Sequence, residues 1–291
     1  MLYLRSATLP DGETEFLRIA SDRKKGEMTC YGSRYPFGLF PERGLDELSF
    51  SPVTVFAGGN GSGKSTLLNV LAQRLGLARS APFSRTAFFE DYAALVRVTM
   101  EEELPGGSRI ITSDDVFRAL LGERGARLRM EREREELIDE YWKMRSGARK
   151  VRLRSMEDAG ALKRYNAALR GTPSRFVNER LSRAEEGSSN GERALRFFTE
   201  AIGGSALYLL DEPENSLSAL YQARLAAFLA ESARFFDCQF VIATHSPLLL
   251  ALPGARIYDL DARPVRETRW TELENVRVLR DFFAEREDEF Q

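Results

Sequence analysis

The sequence predicts an α/β protein: a mostly parallel central sheet covered by helices, an N-terminal antiparallel β element, and a helical subdomain inserted mid-chain. Three observations predict it. In the last third, apolar strand-like runs alternate with helical patterns, the order that yields parallel strands joined by crossover helices. The apolar run "VTVFA" at 53–57 is followed by Leu67, Leu68, Leu71 and Leu75 at helical spacing. From Val116 to about Leu181 the pattern is helical and strongly charged, "RMEREREELIDEYWKM" included, and it interrupts the alternation. The expected division is 1–115 (β element and first part of the core), 116–187 (inserted helices) and 188–291 (the rest of the core).

Taken in order, residues 1 to about 57 mix short apolar runs with Gly and Pro turns ("YGSRYPFGLFPERG") and read as β-rich. A weaker strand, "SRIITSDD", lies near 108–114. After the charged block come a helix over 192–202, a strand over 206–211 and a helix over about 217–236. The strands "QFVIATHS" and "ARIYDLD" follow. No internal repeat or low-complexity tract interrupts the chain.

At 291 residues the chain is long enough for one large domain or two small ones. Its 42 basic and 44 acidic residues nearly cancel, to −2, so overall charge gives no reason to expect a generic nucleic-acid binder. Cys30 and Cys238 show no paired spacing, which argues against a disulfide framework or a zinc site and for reduced, buried thiols. The start lacks a basic segment followed by an apolar one, and no apolar run approaches the roughly 20 residues that cross a bilayer. A cytoplasmic protein without membrane insertion is expected.

"GGNGSGKST" at 58–66 fits G-x-x-x-x-G-K-[ST] and lies between a predicted strand and a predicted helix, the setting this phosphate-binding motif requires. Gly58, Gly59, Asn60, Gly61, Ser62 and Gly63 let the backbone curl so that N–H groups face phosphate oxygens. Lys64 adds a point charge, the Ser65 hydroxyl is suited to ligate Mg²⁺, and Thr66 begins a helix whose dipole favours anions. "ALYLLDEPE" at 206–214 is an apolar strand ending in acids, where an unpaired buried charge would be expensive. At the strand's C-terminal edge Asp211 would hold Mg²⁺ and Glu212 would polarise an attacking water. The ordinary alternative is two loop charges at a strand end. His245, the one histidine of the chain, ends "FVIATH" at the same predicted edge. A neutral imidazole there would hydrogen-bond a γ-phosphate oxygen; the alternative is a packing or surface residue.

In "GGNGSGKST", "LYLLDEPE" and "ATHSP" the chain resembles the ABC-type ATPase superfamily, in its stand-alone, RecF- and SMC-like branch. These stretches stand as Walker A, Walker B with catalytic Glu, and H-loop. It is also similar to small predicted ATPases in which "LDELEF"-like text precedes the P-loop and "ATHSPILLAYPGA"-like text closes the core; here these read "LDELSF" and "ATHSPLLLALPGA". The resemblance implies ATP and Mg²⁺ as cofactors and a head-to-tail homodimer that sandwiches two nucleotides.

It also implies a signature "LSGGQ", for which "SSNGE" stands in the right place. Ser189 takes the serine position and Gly191 the second glycine, with Ser188 in place of leucine and Asn190 in place of the first glycine. Ser189 and Glu192 equally have the spacing of a capping box, and a capped helix start is itself an anion site. The family's Q-loop glutamine is missing; Asp114 or Asp115 is the substitute, and Asp114 is taken as a metal-side residue. Ser218 replaces the D-loop aspartate. Tyr35 and Phe37 are candidates to stack on adenine, with core packing as the alternative. Arg43, in "PERGLDEL", lies where relatives carry a basic residue near the phosphates, against the reading of a surface charge.

The roughly 75 residues between Asp114 and Ser189 are too few for a long SMC-type coiled coil, at about 1.5 Å per residue. Lys143 to Arg183 carries twelve Lys/Arg against three Asp/Glu. That asymmetry suits DNA or RNA, with an acidic protein partner or a solvated helical face as alternatives; Tyr165 and Phe176 are too sparse to argue for base stacking. The expectation is a Mg-dependent ATPase. A nucleotide-gated binding module with slow hydrolysis is the alternative, and the energy subunit of a transporter a weaker one. No N-K-x-D guanine-reading motif is present.

Overall fold

The computed structural model describes residues 1–21, 34–83, 85–145 and 189–290. They fall into two units, Met1–Phe117 with Asn190–Gln291, and Arg118–Ser189. Cys30, Ser188 and the basic stretch beyond Arg145 lie outside the described residues, and with them Tyr165, Phe176 and most of the segment read as a phosphate surface.

The first unit is built on two sheets. The strands of the larger are β3 (Val53–Ala57), β5 (Arg109–Thr112), β6 (Leu207–Asp211), β7 (Gln239–Thr244), β8 (Arg256–Asp259) and β9 (Arg266–Thr268). Their order is β5-β6-β7-β3-β8-β9. All neighbours are parallel except β8 and β9. β3 and β7 are buried along their whole length, as central strands of a sheet covered on both faces must be. The smaller sheet joins β1 (Leu4–Thr8), β2 (Glu47–Ser49) and β4 (Arg97–Met100) in the antiparallel order β2-β1-β4.

One buried amide fastens the two sheets together. The Gln239 side chain accepts from the backbone amides of Tyr3 and Leu4, both at 2.8 Å, and donates to the Leu4 carbonyl at 2.8 Å. A fully buried glutamine is tolerable only because both ends of its amide are used.

Helix α1 (Gly12–Ser21) departs from the β-rich reading of the N-terminal stretch. Its start is set locally: the Asp11 carboxylate accepts from the Thr14 amide at 2.8 Å, satisfying one of the free N–H groups of the first turn. It is then held by tertiary contact, because buried Glu15 accepts from the Gly38 amide at 2.6 Å. Helix α2 (Lys64–Leu75) buries Leu67, Leu68 and Leu71 in the core, and left-handed Gly76 ends it with its N–H turned back to Ala72 and Gln73. Helix α3 (Phe89–Leu95) adds Phe89 and Tyr92 to the same core.

Helix α4 (Ser113–Arg145) starts directly after β5, and from Arg118 onward it belongs to the second unit. Asp115 caps its entry, accepting from the Thr112 amide at 2.8 Å and the Thr112 hydroxyl at 2.9 Å. Helices α5 (Asn190–Ala201) and α6 (Ala219–Phe235) flank β6 in sequence. The short α7 (Pro247–Leu250) follows β7, and α8 (Glu274–Ala284) follows β9. The sequence reading contained neither β9 nor α8. No helix among the described residues is long and apolar enough to cross a membrane.

Candidate functional site

Parallel pairing brings the C-terminal ends of four strands to one edge. Ala57 pairs with Thr244, Ala243 with Asp211, and Asp211 with Thr112. Everything immediately beyond these residues, 58–65, 113–115, 212–214 and 245–246, therefore meets at the edge where open α/β sheets bind ligands.

The loop between β3 and α2 is shaped by its glycines. Gly58, at φ 152°, has no room for a side chain: a Cβ there would stand 2.7 Å from Ser62 Oγ. Gly63, at φ 93°, turns the chain into α2 in the left-handed region that favours glycine. Lys64 is 4% exposed, and its ammonium donates to the carbonyls of Gly58 (2.7 Å) and Gly59 (2.9 Å). A cation stored on its own loop is in reach of a phosphate, which need only displace two neutral carbonyls. Asn60 and Gly61 are exposed at the loop tip.

Ser65 and Asp211, 146 residues apart, are joined: Ser65 Oγ donates to Asp211 Oδ1 at 2.8 Å. Burial pushes the Asp211 carboxyl up to about 6; the Ser65 hydroxyl opposes this, Glu212 adds to it and Lys64 opposes it. A carboxylate driven this far towards neutrality lacks sufficient positive charge, and a hydroxyl beside it completes a pair of hard oxygen donors. The donor set thus fits Mg²⁺. Among the described residues no group of three or more His, Cys, Asp or Glu converges to cage a metal.

Glu212 follows in the left-handed region, φ 47°, unusual for a residue with a side chain. Its amide donates to the Ala243 carbonyl at 2.9 Å and its carboxylate accepts from Asn215 Nδ2 at 3.0 Å, so backbone and side chain are both fixed. The sharp turn carries the carboxylate off the strand line instead of into the sheet. His245 is half-exposed, with Nδ1 3.2 Å from Oε1 of the buried Glu214.

Of the remaining predicted residues, Arg43 lies against the loop. Its guanidinium donates to the Gly61 carbonyl at 3.0 Å and the Leu260 carbonyl at 2.8 Å. Tyr35 brings its hydroxyl against that of Thr66, whereas Phe37 packs edge-on against Phe88 and Tyr92 in the core. Asp114 is exposed on the first turn of α4, and Asp115 is engaged at the helix entry.

Ser189 stands immediately before α5. Asn190 accepts at Oδ1 from Arg193 at 3.1 Å. Gly191 has an intramolecular reason to be glycine: a Cβ there would lie 2.6 Å from the Tyr221 ring of α6.

Two functional candidates escaped the sequence reading. Asp261 accepts from the Gly59 amide at 2.7 Å and so steadies the loop from the far side of β8. Glu214 organises the turn at His245. The acidic text "DEPE" was the available signal for Glu214; for Asp261, more than 200 residues downstream of its partner, no local signal exists.

A Gly-rich loop with a buried lysine, a hydrogen-bonded serine–aspartate pair, and a glutamate and histidine at the same sheet edge make up the site of a P-loop protein. The family model AAA_21, described as "AAA domain, putative AbiEii toxin, Type IV TA system", matches residues 101–251, just over half of the chain, and the chain belongs to this family. The matched span holds Asp211, Glu212 and His245 and begins after the P-loop. No curated protein matches the chain.

Among solved structures it is similar to the Smc head domain with an extended coiled coil bound to the C-terminal domain of ScpA from Pyrococcus furiosus. Identity there is 14%, coverage 97% of this chain and 100% of that one, and TM-score 0.44. The SMC head domain from Thermotoga maritima matches at 14% identity over 92% and 99%, TM-score 0.43. A dimeric post-hydrolysis ATP-binding cassette bound to ADP and Pi matches at 16% over 78% and 90%, TM-score 0.36.

Proposed function

We propose that the protein hydrolyses ATP with Mg²⁺ as a head-to-tail homodimer and couples closure of that dimer to a process involving a further partner. The observation that carries this reading is the Ser65–Asp211 hydrogen bond of 2.8 Å beside a buried Lys64. It joins phosphate-binding and metal-binding chemistry at one point. Lys64 exchanges the Gly58 and Gly59 carbonyls for phosphate oxygens, and the loop amides from Gly61 to Ser65 line the same anion. Ser65 and Asp211 hold Mg²⁺, with Asp114 at the adjacent strand end. When bound, the ion neutralises charge on the phosphate oxygens.

Glu212 orients the attacking water and takes its proton, and His245 contacts the γ-phosphate. Arg43 keeps the loop tip in place, and Ser189 with Gly191 meets the nucleotide of the second copy. For the basic 143–183 segment the proposed partner is DNA or RNA, with an acidic protein as the alternative, and the proposed compartment is the cytoplasm.

Glu212→Gln is the test. It is expected to bind Mg-ATP, to lose turnover, and to accumulate a dimer in size-exclusion chromatography with light scattering. A monomer at saturating Mg-ATP refutes the sandwich, and undiminished turnover refutes the role of Glu212. The nucleic-acid assignment predicts ATP-dependent DNA or RNA binding that weakens steeply with salt; salt-independent or absent binding refutes it.

A further inference from the structure

We propose that Glu214 is the positioning residue of His245: it holds the ring through Nδ1–H and leaves Nε2 as the nitrogen that meets the nucleotide. This rests on the γ-phosphate role given to His245 above and specifies how the ring performs it.

Glu214 is 5% exposed, an unusual place for a carboxylate. One oxygen, Oε1, is crowded with donors. It accepts from Thr244 Oγ1 at 2.6 Å and from the His245 amide at 2.9 Å, and the His245 ring nitrogen Nδ1 lies 3.2 Å away. Backbone and ring of the same histidine are thus tied to one atom. The other oxygen, Oε2, is buried without a hydrogen-bond partner. Such a group costs stability, and its retention calls for a role other than stability.

Oε1 presents lone pairs only, so the tautomer with its proton on Nδ1 is electrostatically favoured over one that sets two lone pairs 3.2 Å apart. A neutral ring held this way offers a lone pair at Nε2. It cannot donate to a γ-phosphate oxygen, contrary to the simple picture of a neutral donor. The end of β6 also brings Asp211 and Glu212 to this corner. α8 contributes the neutral Asn275, whose Nδ2 donates to the His245 carbonyl at 3.1 Å.

The chain has a single histidine, so its ring nitrogens give one unambiguous pair of ¹⁵N signals. In the full-length, nucleotide-free protein at a pH where the ring is neutral, Nδ1 is expected to be protonated and Nε2 bare. Glu214→Ala, shown folded by circular dichroism, is expected to move the proton to Nε2. It should lower kcat by roughly tenfold while changing ATP affinity by less than about threefold. Glu214→Gln keeps an acceptor oxygen and is expected to retain the Nδ1–H form and recover part of kcat.

A wild-type ring protonated at Nε2 overturns the proposal, as does a folded Glu214→Ala protein with unchanged tautomer and kcat. Should Glu214→Ala fail to fold, the wild-type tautomer and Glu214→Gln still decide it. The tautomer is read without ATP, so a failure of the Glu214 contact is distinguishable from a failure of the ATPase reading.

Discussion

Asp211 offers the sharpest test of how the site is built. Burial holds its carboxyl at about 6 instead of the ordinary 3.8. A displacement of that size corresponds to about 3 kcal/mol of differential stability between the two protonation states. Because the folded state binds this proton more tightly than the unfolded one, its stabilising contribution is complete only below about pH 4. It is lost as pH rises through 6. Asp211→Asn keeps an acceptor oxygen for Ser65 Oγ and removes the charge that burial penalises.

Without nucleotide or Mg²⁺, the variant is therefore expected to exceed the wild type by up to about 3 kcal/mol at pH 8. About 2 kcal/mol of that difference should appear between pH 4.5 and 8. Urea midpoints of both proteins at several pH values measure it, and titrating groups remote from Asp211 cancel in the comparison. With saturating Mg-ATP the proposed metal role predicts that the order inverts, since only the wild type keeps the carboxylate charge that binds the ion well and gains linkage stabilisation. A stability difference independent of pH would refute the assignment of a desolvated, charge-starved carboxylate at position 211.

Gln239→Ala removes the amide that fastens the two sheets and is expected to cost about 3 kcal/mol, since backbone groups of Tyr3 and Leu4 lose their buried partner; chemical denaturation measures it. Gly191→Ala should cost about 1–2 kcal/mol through contact with Tyr221, and pairing it with Tyr221→Ala should recover part of that loss in thermal melts. Arg43→Ala frees the loop tip at Gly61 and is expected to weaken ATP binding about tenfold by calorimetry, with little change in melting temperature. Equal affinity would place Arg43 among surface charges.

The elements legible in the sequence were those with strong local signals. "VTVFA" before a Gly-rich loop and leucines at helical spacing read directly as β3 and α2. The last third read well because strand and helix periodicities alternate there. The misses have identifiable causes. α1 lies in a stretch punctuated by Gly and Pro, and its cap at Asp11 is a weaker cue than the turns around it. β4, with half-buried alternation over only four residues, owes its place to pairing with β1. α8 follows an antiparallel edge strand of three residues, too short for periodicity to register.

By itself the sequence determined the Gly-rich loop, the acids at the end of β6 and the histidine that follows β7, because these features depend on residue type and local spacing. Tertiary structure decided which of them touch. Ser65 reaches Asp211, Arg43 reaches Gly61, Asp261 holds Gly59 and Glu214 holds His245 only because parallel pairing aligns distant strand ends at one edge. It also gave Gly191 an internal neighbour, Tyr221, that no reading of "SSNGE" contains. Local spacing encodes conformation over a few residues; contacts across tens to hundreds of residues are set by sheet register and packing, which no short motif records.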